Sequence, residues 1–160
     1  GSRDADIHAL VKRVCSAALL LNGICANQSE ADAKVDTVVT SGAAAEQFGK
    51  MLTAMGVSPA FMNNPAPFLQ TAAVIRPIYP DAAGTVKGMN LRWIGLSVIE
   101  MGAGRLFQEQ KIDYSAGYTN MCKVGMYVSP QIPLAFVHAH DEATADAAAE
   151  HLKGAIQIAE

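Results

Sequence analysis

The chain has 160 residues, 51% of them hydrophobic and 17% charged, which suits one globular unit or two small packed subdomains with a real core. A net charge of −3 with scattered Lys and Arg excludes the basic footprint of a nucleic-acid or anionic-membrane binder. The longest apolar run, Cys15 to Leu21, is too short to span a bilayer, and the acidic opening "GSRDAD" is unlike a cationic signal peptide. Gly1-Ser2 has the form of a cloning scar.

The first seventy or so residues read as helices. Ile7, Leu10, Val11, Val14, Ala18 and Leu21 recur at three- and four-residue steps, and Gly23 follows where a helix C-terminus favours glycine. Cys15 lies on this stripe and reads as buried filler; with Cys25 and Cys122 it makes an odd set without paired spacing, as expected of reduced thiols. "SEAD" (Ser29 to Asp32) has the form of a capping box opening a helix with Val35, Val38 and Val39 on one face, ended by Gly42. A third helix carries Ala44, Phe48, Met51, Leu52 and Met55 at core spacing and stops at Gly56. Ser58-Pro59 places a cap before a first-turn proline and starts one short helical turn.

"NNPAP" (Asn63 to Pro67) interrupts the pattern and is the best internal break. Beyond it, "AAVIRPIY" reads as a strand confined by Pro77 to an edge or bulge, and "PDAAG" turns into a second strand, "TVKGM". Asn90 caps a helix with Leu91, Ile94, Val98, Ile99 and Met101, terminated by Gly102 to Gly104. The segments "IDYSAGY", "KVGMYV" and "LAFVH" follow, then an Ala-rich final helix with Ala148, Leu152, Ala155, Ile156 and Ala159 on one face. The expected fold is α+β, a helical segment over residues 4–71 followed by a strand-rich unit over 72–160.

Chemistry is sparse. "GAGR" is similar to a phosphate loop but follows a helix instead of opening one, so termination is the better reading. "TSGAAAE" (Thr40 to Glu46) precedes a helix yet has no second glycine or lysine. Asp113 reads as an acid capping backbone amides, and Arg76 and Arg105 as surface ion-pair residues rather than anion ligands. "HAHDE" is the most chemical stretch: in a strand His138 and His140 share a face and could bind Zn²⁺ or Fe²⁺, but a third ligand is wanting. The other histidines, His8 and His151, fall on distant helices, and Asp141 and Glu142 sit where they would cap the final helix.

The order "SGAAAEQFGKM", "AGTVKGMNLRWIGLSVIEMGAGR", "IDYSAGYTNMCKVG" and "PLAFVHAHDE" resembles the C-terminal part of the bacterial thymidine phosphorylases, of the pyrimidine-nucleoside phosphorylase family. The opening helices resemble the segment just upstream more loosely. The most distinctive stretches are Gly95 to Arg105, Ile112 to Thr119 and Leu134 to Glu142. The resemblance implies that residues 4–71 belong to the family's large α/β domain and that 72–160 form its terminal α/β-hammerhead, a shape related to biotinyl and lipoyl carriers. It implies a cytoplasmic, homodimeric parent that cleaves thymidine with phosphate, giving thymine and 2-deoxyribose 1-phosphate, without a cofactor. The family's phosphate loop and its base-gripping Arg, Ser and Lys are missing from this sequence, so no catalytic, substrate-binding or metal-binding residue is carried over. His138 falls on the family's strand-end histidine, and His140 where the family carries Lys or another polar residue. On this reading the chain is a structural fragment whose partner is the remainder of the parent enzyme. Two other readings stand beside it: a free-standing carrier or interaction module modified at Lys87, near Met89, and a small metalloprotein built on His138 and His140.

Overall fold

The computed structural model describes residues 4–159. It divides into two compact units between Ala66 and Pro67, inside the proline-rich break. The first holds three helices, α1 (Ala5–Leu21), α2 (Gln28–Thr40) and α3 (Ala43–Ala54), and a 3₁₀ turn at Pro59–Met62. Side-chain caps fix where α1, α2 and the 3₁₀ turn start, whereas α3 opens at Gly42 without one. Asp4 accepts from the amides of Asp6 and Ile7, and Ser58 from that of Ala60. At α2 the cap is Asn27, not Ser29: Asn27 accepts from the Glu30 amide, and Glu30 reaches back to the Ala26 amide. The box is therefore "NQSE", two residues earlier than "SEAD", and its glutamate supplies the reach that the short Asp32 lacks.

The second unit contains β1 (Val74–Ile78), β2 (Gly84–Met89), α4 (Leu91–Val98), β3 (Gly117–Thr119), β4 (Tyr127–Val128), β5 (Ala135–Ala139), α5 (Glu142–Ala155) and β6 (Ile156–Ala159). The strands form two antiparallel sheets of order β1-β5-β3 and β4-β2-β6. The α+β expectation is met. Pro77 lies in β1, an edge strand, where a missing N–H is tolerated. Asn90 caps α4 through the Trp93 amide. A π turn at Ile99–Ala103 then closes the helix, with Gly102 at φ +94, a conformation that other residues adopt only under strain.

The end of the chain departs from expectation. The final helix stops at Ala155, and Ile156 to Ala159 run as a strand that pairs antiparallel with β2. The stripe Ala148, Leu152, Ala155, Ile156 has helical spacing, but β-branched Ile156 and Ile158 also alternate with Gln157, and that period of two decides the outcome. The pairing is close: a Cβ on Gly84 would come within 2.7 Å of the Ala159 carbonyl oxygen and of Ile158 Cγ2, so only glycine fits there.

The second unit owns a contiguous core. Val86, Val128, Leu134, Val137 and Leu152 are fully buried, and α5 contributes a small-residue face of Ala145, Ala148 and Ala155. Tyr118 lies between the helices: its hydroxyl donates to the Ala148 carbonyl (2.9 Å) and meets Ser97 Oγ (3.0 Å). Burial raises its pKa, partly offset by the Ser97 hydrogen bond.

The first unit is built the other way round. Helix α1 meets α2 through its polar side, a ladder at four-residue steps. His8 Nε2 lies 3.5 Å from Asp36 Oδ1, Lys12 donates to Asp36 (2.6 Å), and Ser16 donates to Asp32 (2.5 Å), which also accepts from Gln28 (2.7 Å). Ser16 is fully buried. The hydrogen bond to Asp36 raises the Lys12 pKa, and those from Ser16 and Gln28 lower that of Asp32. The apolar stripe of α1 is left outside: Ile7, Leu10, Val14 and Leu21 are 63%, 61%, 59% and 88% exposed. Cys15, expected to be buried on that stripe, is exposed, and α3 buries no residue, with Phe48, Met51 and Met55 all exposed where core was expected. Periodicity identifies an apolar face; it does not say what covers it.

Candidate functional site

The "HAHDE" segment joins β5 to α5. Alternation along β5 puts Ala135, Val137 and Ala139 in the core, leaving His138 half-buried on the opposite side. His138 Nε2 is 2.8 Å from Thr119 Oγ1 on the neighbouring β3, whereas His140 Nε2 lies 3.3 Å from Thr144 Oγ1 and 3.2 Å from Asp141. The two imidazoles are thus committed to different partners. Among the described residues no three His, Cys, Asp or Glu side chains converge as metal ligands do. Asp141 is the N-cap of α5, accepting from the Thr144 amide at 2.7 Å, and that bond holds its carboxyl below the usual carboxylate range. Glu142, in the first helical turn, lies 3.5 Å from Arg76 Nε, and Arg76 also pairs with Asp146.

The remaining sequence candidates are also structural. Asp113 accepts from the Ser115 hydroxyl (2.6 Å) and amide (2.9 Å), which depresses its pKa, and its own amide donates to the Gly102 carbonyl. Gly102 to Gly104 end a helix and present no helix N-terminus to an anion. Arg105 donates to the Gln108 carbonyl at 3.4 Å. Lys87 is exposed within β2, beside the register shift between Val86 and Gly88, and is not at a hairpin tip as a carrier lysine would be.

Two places carry more than structure requires. One is an apolar groove of about 780 Å³ among the first-unit helices, lined by Val11, Cys15, Ala18, Val35 and Val38, with Glu30 and Lys34 also in its wall. The other lies between α4 and α5, where His151 Nδ1 is 2.9 Å from Glu100 Oε2 and Trp93 stands half-exposed. Sequence reasoning passed over both. Their signals are the four-residue spacing of His8, Lys12 and Ser16, which turns the apolar stripe outward, and the spacing of Trp93, Leu96 and Glu100 along one helix face.

Neither place assembles a nucleophile, a general base and an anion cradle. Residues 85–159 match the family described as the pyrimidine nucleoside phosphorylase C-terminal domain. This stretch, just under half of the chain, is similar to that C-terminal domain. The match takes in all three of the most distinctive stretches, from Gly95 onward, together with β5 and all of β2 but Gly84. The family is one of pentosyltransferases. Within the C-terminal domain the polar side chains serve caps, turns and surface pairs. No helix among the described residues is long and apolar enough to cross a membrane.

Proposed function

We propose that the chain is the C-terminal part of a thymidine phosphorylase, and that its role is to build and brace the large domain of that enzyme rather than to perform chemistry. The parent reaction is thymidine plus phosphate giving thymine and 2-deoxyribose 1-phosphate, in a cytoplasmic homodimer. Catalysis of that kind rests on holding phosphate and nucleoside in line and stabilising the departing base. No residue of this chain supplies either ligand set, and the chain by itself is inactive.

The observation that carries the reading is the inverted pairing of α1 with α2. A helix pair that buries Ser16 and half-buries Lys12 and Asp32 while exposing Ile7, Leu10, Val14 and Leu21 is arranged for a further apolar layer. The remainder of the parent enzyme is that layer, seated on the α1 stripe and the groove beside it. The C-terminal domain has a contiguous buried core of its own.

The test is an assay of thymine release from thymidine and phosphate, with the chain alone and with the full-length parent. The expected result is activity in the parent and none above background in the chain. A rate proportional to the concentration of the isolated chain sinks the proposal.

A further inference from the structure

The pocket between α4 and α5 has a composition that the bracing role leaves unexplained. It measures about 210 Å³ and is lined by Trp93, Leu96, Glu100 and His151. An adjoining hollow of about 310 Å³ shares Glu100 and His151 and reaches Ser97 and Thr144. Trp93, Leu96 and Glu100 follow one another at steps of three and four along α4 and its π turn. Opposite them, α5 carries His151 and Gly154, and a Cβ built on Gly154 would stand 4.0 Å from Trp93 Cζ3, so the indole lies against the glycine. Trp93 is 55% exposed, which for the largest apolar side chain in the chain is a cost unless something covers it.

The polar groups restrict what that could be. The Glu100 carboxylate only accepts hydrogen bonds. His151 Nδ1 lies 2.9 Å from Glu100 Oε2, and a neutral ring that keeps its proton on Nδ1 leaves its other nitrogen an acceptor. Two acceptors, one of them anionic, beside an indole and the aliphatic Leu96 call for a ligand that donates, is positively charged and is flat. An ammonium meets the first two requirements and is held more tightly by water; a guanidinium meets all three. It can stack on the indole while its N–H fork engages the Glu100 oxygen that His151 leaves open.

We propose that this pocket is a guanidinium-binding site, occupied by an arginine side chain of a partner protein or by a small free guanidine. Trp93 is the sole tryptophan of the chain, so its emission reports on this site alone. The experiment is a fluorescence titration of the whole chain, at constant ionic strength, with N-acetyl-arginine amide, agmatine, an arginine-containing peptide and N-acetyl-lysine amide. Both small guanidinium compounds should give a saturable change, and the lysine amide a weaker one. Glu100→Gln, exposed and isosteric, should weaken binding about tenfold, the loss expected when a hydrogen-bonded charge partner is removed. His151→Ala keeps the carboxylate and should weaken binding less. A peptide that binds more tightly than agmatine assigns the site to a protein partner; equal affinities assign it to a free guanidine. A change that never saturates, one that is equal in Glu100→Gln, or one that the lysine amide matches overturns the proposal.

Discussion

The two units solve the burial problem in opposite ways. In the C-terminal domain the apolar residues of both sheets and of α5 face one another, and the polar side chains lie at caps and surface pairs. In the helical unit the contact between α1 and α2 runs through His8, Lys12, Ser16, Asp32 and Asp36, while the apolar stripe faces out. Similar helical periodicity thus marks a core in one region and an exposed apolar face in the other. The difference teaches that an amphipathic pattern identifies an apolar face without saying what covers it.

The contrast is sharpest for single truncations of leucine. Leu152→Ala, in the fully buried centre of α5, should destabilise the C-terminal domain by about 2–5 kcal/mol, read as a fall in denaturation midpoint. Leu10→Ala, on the 61% exposed stripe of α1, should change stability by less than about 0.5 kcal/mol. Comparable losses at the two positions would break the comparison.

Removing a cap tests the polar side of the domain at an intermediate scale. Asp141→Ala should lower the denaturation midpoint, by less than Leu152→Ala does. Because the folded Asp141 has its pKa lowered by the Thr144 amide, its stabilisation is present above the ordinary aspartate value of about 3.9 and is lost as pH falls below it. Asp113 adds to this slope with the same sign through its bonds to Ser115. Asp141→Asn, which still caps but does not ionise, should flatten part of the acid limb of a stability–pH profile while keeping the melting temperature near neutral pH close to that of the parent chain. An unchanged acid limb would remove Asp141 from the account.

Tyr118→Phe is predicted to cost roughly 1 kcal/mol, because it deletes a hydroxyl bonded to both Ser97 and the Ala148 carbonyl. The smallest effect is chemical rather than thermodynamic. A thiol reagent should modify Cys15 quickly and Cys25 and Cys122 slowly, since only the first is exposed. Burial raises the Cys122 pKa and slows that thiol further. Equal rates at all three would show that the groove beside Cys15 is covered in solution.

How much of this was legible beforehand follows the range of the forces involved. Caps are local, and Ser58, Asn90 and Asp141 could be read from neighbouring residues. The shift of the α2 cap from Ser29 to Asn27 shows the limit of such reading, since both residues are good caps and only Glu30 has the length to complete the box. Ile156 illustrates the next limit: four residues carried both a helical and a strand period, and a partner some seventy positions earlier, β2, chose between them. The exposure of Phe48 and Met51 was not legible, because what covers a face is a property of the neighbours it meets. The Glu100–His151 pair joins two helices about fifty positions apart and left no local trace.

The pairing of β2 with β6 also has a consequence for biosynthesis. Strand β2 emerges from a ribosome with the first part of the domain, yet its neighbour on one side, Ile156–Ala159, is the last described segment of the chain. One sheet therefore stays incomplete, with the Val86 edge unsheltered, until those residues have cleared the exit tunnel. Of the two units, the one with the better core is the later to finish folding, and a chaperone acting during synthesis would meet it with that edge open.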